Sequence, residues 1–149
     1  MSVNTTHLTH ESSAGIDHRL VGAGAAVAAL VSLVFANFVG VSEGDNGGVG
    51  EFATTGILTL ALAAIAFGRI VPSAIESGRL VRAALGLTAL AVPGVLAFWS
   101  GLPQIAGPAA ILLATLALQR GGTSRAGAWT AIVLSALAYA AAITACVAA

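Results

Sequence analysis

At 149 residues, 58% hydrophobic and 8% charged, with a mean hydropathy of +0.96, the chain lies far from soluble composition, where roughly 45–50% apolar and about 25% charged residues are usual. So few charges cannot solvate a globular surface. A formal net charge of zero, with six cationic residues that are all arginine, also excludes a basic nucleic-acid-binding face, and no nucleic-acid partner is expected.

The apolar character comes from Ala, Leu, Val, Ile and Gly rather than aromatics, which make up 5%, and small residues suit closely packed helices in lipid. The single cysteine, Cys146, excludes an intrachain disulfide or a multi-cysteine metal motif. Among apolar neighbours it reads as a small packing residue. An arginine-only, Ala- and Gly-rich composition is associated with high-GC bacterial genomes, so a multi-pass protein of the bacterial inner (plasma) membrane is expected.

In chain order, residues 1–18 form a polar segment expected to be a flexible cytoplasmic tail. Its His7, His10, Glu11 and His18 have the side chains of a metal site, but the surrounding Ser, Thr and Gly favour a solvated tail, and no metal or other cofactor is expected. Residues 19–149 are expected to be one transmembrane helical domain. Its first span, about 20–41, carries no charge and is long enough to cross a hydrocarbon core of about 30 Å. Glu43 to Gly48 resembles a calcium loop only in acidity, lacking the ligand spacing and closing Glu.

The second span, about 52–71, admits Arg69 at its end, where a guanidinium snorkels to the headgroups. Pro72 and Gly78 mark the connection that follows. The third, about 80–99, begins with Arg82 in its first turn and ends on Trp99, an interfacial residue. Ser100-Gly101-Leu102-Pro103 then reads as a tight turn with proline opening the next helix. The fourth span, about 103–118, is the shortest. Without that turn, 80–118 would be one helix of about 58 Å, far more than a tilted span needs. The fifth runs over about 127–149, with Trp129 near its start.

These continuous apolar runs, without alternation, exclude a β-barrel and predict an all-α polytopic bundle of about five transmembrane helices. With five spans, Arg19, then Arg69, Arg79 and Arg82, then Arg120 and Arg125 fall on one side. The positive-inside rule therefore places the N-terminus and the loops around Ile75 and Gly122 in the cytoplasm. The loops around Asn46 and Gly101, and the C-terminus, are expected outside.

Within the spans there is no Asp, Glu, Lys or His between the helix ends. Titratable groups at depth carry proton coupling and metal-assisted catalysis, so an enzyme is not expected. The polar residues that remain are mostly hydroxyls able to bond their own helix. Asn37 cannot satisfy its amide within one helix and needs a partner on another. Tyr139, deep in the last span, needs an acceptor for its hydroxyl. Thr88, Thr115 and Tyr139 are the candidate lining of a permeation path, or else interhelical contacts. Pro93-Gly94 predicts a kink, because proline removes a backbone bond and clashes with the preceding turn. Small pairs at four-residue spacing, Gly22/Ala26, Ala36/Gly40 and Ala136/Ala140, would let backbones approach closely.

No motif specific to a family is present. The reading that fits these residues is a non-enzymatic accessory or structural membrane protein that self-associates or joins a larger complex. The alternative is a small oligomeric channel or carrier for a neutral or apolar solute. The two differ in whether the hydroxyls converge on a cavity or scatter over helix contacts.

Overall fold

The computed structural model describes residues 17–38, 48–121 and 124–148. The histidines and Glu11 of the tail before residue 17, and the acidic loop 43–47, lie outside the described residues. The elements are α1 (His18–Phe38), α2 (Gly48–Ile65), a π-helical turn (Ala66–Ile70), α3 (Val71–Glu76), α4 (Leu80–Gly94), a 3₁₀ segment (Val95–Ser100), α5 (Leu102–Gln119) and α6 (Arg125–Ala148). The architecture is all-α, a bundle of about five helical rods. Among the described residues, four helices are long and apolar enough to cross a membrane: Phe52–Glu76, Leu80–Ala97, Leu102–Gln119 and Arg125–Ala145. The apolar stretch His18–Val34 in α1 is shorter.

The second rod extends past the expected break at Pro72. Proline has no N–H to donate and its ring collides with the carbonyl four residues back, here that of Gly68. The chain avoids that collision by opening the preceding turn: Val71 N–H bonds the Ala66 carbonyl, five residues back. A π turn of this kind moves the offending carbonyl aside and lets the helix resume. The rod then runs to Glu76 and breaks at Gly78, where φ is +67°.

In the third rod the α-helix ends at Gly94 and is followed by 3₁₀ turns over Val95–Ser100 that are interrupted at Ala97, whose φ −120°, ψ 49° is not helical. The kink expected at Pro93-Gly94 is not where the backbone leaves the helical region; that break falls at Ala97, three residues beyond Gly94. Val95 N–H reaches both the Val92 and Pro93 carbonyls. A glycine at 94 leaves room for Leu102 and Pro103, whose side chains would stand 3.2 and 3.3 Å from any Cβ there.

α5, read as the shortest span, is the centre of the bundle. It packs against α1, α2, α4 and α6, and buries Ala106, Gly107, Ala109, Ala110, Ala114 and Ala117. Side chains this small let surrounding backbones come close, which is how helices gain dispersion contact without a hydrophobic driving force. At 18 residues it is about 27 Å long, enough to cross.

The turn entering α5 is recessed. Gly101 adopts φ +72° and is buried, as are Pro103 and Gln104, and a Cβ at Gly101 would be driven into the Thr59 hydroxyl. Thr59 lies about 16 Å along the second rod from Gly48, so this turn sits within the bundle rather than at its tip. Glycine and proline signals mark the turn in the sequence, whereas its close approach to Thr59 of the second rod is a tertiary feature that no local pattern reports.

Candidate functional site

Hydroxyl placement decides between a lined cavity and dispersed helix contacts. Ser32, Thr54, Thr88, Thr115, Thr130 and Thr144 each donate to the carbonyl four residues back, at 2.8–2.9 Å. This satisfies the donor inside the helix and leaves oxygen lone pairs for a neighbour. One such neighbour exists: Thr88 Oγ1 lies 2.8 Å from Ser135 Oγ, joining α4 to α6 in a buried pair. Interhelical bonds of this kind contribute roughly 0.6 kcal/mol in membranes. Thr88 is therefore a helix-joining residue here.

Thr115 and Tyr139 do come together. With Val21, Gly24, Pro108 and Ile111 they line a cleft of about 400 Å³ between α1, α5 and α6. Its walls are mainly apolar, the Thr115 hydroxyl is engaged by the Ile111 carbonyl, and Tyr139 packs across Gly107, where a Cβ would meet its own Cβ at 3.4 Å. The side chain of Asn37, in α1, lies outside the described residues. Cys146 and Trp99 share that status for their side chains. Trp129 is exposed.

Beyond Ser32 and Ser135, two further buried polar residues lie outside the candidate set. Thr59 and Gln104 are both 0% exposed. Thr59 differs from the threonines above: its Oγ1, turned toward Gly101, has no hydrogen-bond partner among the described residues. The hydropathy pattern hides Gln104 because it falls among turn residues, and only the recessed placement of that turn buries it.

The cationic end is the most strongly patterned surface. Arg19 shares a cleft with Phe67, Gly68 and Pro72. Arg69, Arg79 and Arg82 line a second cleft of about 560 Å³ with Ser73 and Ser77. Arg79 and Arg82 also line a third, of about 520 Å³, with Arg120 and Ser124. Arg120 reaches across to the Ile75 carbonyl at 3.3 Å, satisfying an acceptor at the C-terminal end of α3. Arg125 begins α6 directly after Ser124. All six arginines thus gather at one end of the bundle, as the alternating direction of successive rods requires. Among the described residues, no group of three His, Cys, Asp or Glu is placed to hold a metal ion.

No family pattern matches this chain, and neither a curated protein nor a solved structure does.

Proposed function

We propose that the protein is a non-enzymatic structural or accessory component of a cell membrane, most simply a bacterial inner membrane, that associates with itself or with a larger membrane complex. In this reading the arginine-bearing end faces the cytoplasm, following the positive-inside rule. The observation that carries it is how differently the small-residue pairs are used. Gly22 is consumed inside the chain, where Phe67 of the neighbouring rod closes on it, whereas Ala136 and Ala140 are exposed on α6. An outward face of small residues suits contact with another helix. The engagement of most hydroxyls by their own helix, and of Thr88 by Ser135, supports the same reading.

The test is oxidative crosslinking in native membranes, with Cys146 replaced by Ala. A single cysteine at Ala140 is expected to give a crosslinked dimer, and one at Ala61, exposed on α2, none. Exclusively monomeric product from both positions would remove self-association and leave a hetero-complex.

The alternative, an oligomeric channel or carrier for a neutral or apolar solute, draws on the cleft that unites Thr115 and Tyr139. Its apolar walls suit an apolar solute better than a hydrated one.

A further inference from the structure

The arginines at the cationic end are placed more specifically than an orientation signal needs. An orientation signal requires only cations in the loop, whereas Arg69 and Arg82, on different rods, line one cleft together with Arg79, Ser73 and Ser77. Among the described residues none of these three guanidiniums makes an ion pair, and all three residues are exposed. Paired guanidiniums and hydroxyls are the donor set that takes a phosphate oxygen by charge-assisted hydrogen bonds. The first turn of α4 adds to the same field: its N-cap, Arg79, places no side-chain bond on the free N–H groups, and such groups carry positive partial charge.

What distinguishes a lipid from a free anion is the surface leading away from the cleft. From Arg82, one and two turns along α4, come Gly86, with nothing within 4 Å of a Cβ placed there, and Leu90, 52% exposed. From Arg69, the other rod presents Ile65 and Leu58, 53% and 47% exposed. α2 and α4 both pack on α5, and each carries one of these exposed apolar stripes. A charged cleft with an exposed apolar stripe on each of the two rods that line it matches a phospholipid: headgroup at one end, acyl chains along the helices.

We propose that the cleft formed by Arg69, Ser73, Arg79 and Arg82 is a binding site for the phosphate headgroup of an anionic phospholipid, with its chains lying along α2 and α4. The proposal relies on the membrane placement above but is independent of self-association. Basic pockets between transmembrane helices are recurrent sites for such headgroups.

The experiment uses the full chain in vesicles of phosphatidylcholine and phosphatidylglycerol at 3:1, with spin-labelled analogues of each lipid reporting the fraction held at the protein surface. Wild type is expected to hold the anionic analogue several-fold over the zwitterionic one. Arg69→Gln with Arg82→Gln should bring that ratio close to one. Arg19→Gln with Arg125→Gln removes the same charge outside the cleft and should leave most of it. Both variants are first checked for wild-type helicity and insertion. Equal loss in the two double variants would show a diffuse charge effect and overturn the site, as would an unchanged ratio in the first. Full displacement of the anionic analogue by millimolar inorganic phosphate would assign the cleft to a free anion and overturn the lipid.

Discussion

Gly101→Ala is expected to destabilise the protein by about 3 kcal/mol in the folded bundle. Two costs combine. The backbone at Gly101 has φ +72°, where any side chain costs roughly 1–2 kcal/mol. The new methyl would also be forced into the Thr59 hydroxyl, with Thr59 Cγ2 at 2.9 Å, and overpacking of a closed site costs about 1–3 kcal/mol. The two are separable, because only the second depends on Thr59. In Gly101→Ala with Thr59→Ala the contacts with the Thr59 hydroxyl and Cγ2 are removed while its Cβ, at 3.0 Å, stays, so the steric part falls and the backbone strain of about 1–2 kcal/mol remains. Unfolding in mixed micelles of mild and denaturing detergent measures both. Additivity of the two substitutions would mean that this turn does not press on α2.

A second large effect is expected at Gly22. A Cβ there would stand 2.7 Å from Phe67 Cγ and 2.9 Å from its Cβ, and Phe67 is itself buried at 7% exposure, so the ring has little room to withdraw. Gly22→Leu should force α1 off the second rod and cost about 2–3 kcal/mol. Gly24→Leu is the matched control. A Cβ at Gly24 meets nothing within 4 Å, and surface changes of that kind stay within about 0.5 kcal/mol. The same unfolding assay compares them; equal losses would show that the α1 contact surface is not the one containing Gly22.

These two positions also show what the chain reveals locally and what it conceals. Gly22 and Gly101 are legible as a small residue and a turn signal, and the runs of apolar residues delimit the rods to within a few positions. What hydropathy measures is fitness for lipid, and helices that face protein need less of it. α5 has the lowest mean hydropathy of the four spanning candidates, 1.4, and the largest buried share, 61% of its span against 28–33% for the others. Its central place therefore reads in sequence as weakness. Gln104 is tolerated in it because other helices, not lipid, surround the amide.

The helix continuing through Pro72 was hidden for a related reason. A proline in an apolar run signals a break, and whether the preceding turn opens into a π turn depends on packing around Phe67 and Val71, both buried. The Thr88–Ser135 bond joins residues 47 positions apart, a pairing that a single sequence does not carry. The one-sided arginines, by contrast, were fully legible, since their segregation follows from counting rods and the structure gathers them at one end.

The central claim is a bundle whose rods, α1 included, cross the membrane with the arginine end inside. It is tested most directly by accessibility in intact cells, with Cys146 replaced by Ala and single cysteines at Ser12, Asn46, Ser77 and Ser124. A membrane-impermeant thiol reagent should label Asn46 at once, and the other three only after permeabilisation. Labelling of Ser12 together with Asn46 in intact cells would mean that α1 does not cross. Labelling of Ser124 without Ser77 would mean that α4 and α5 do not form two crossings, and either result contradicts the account.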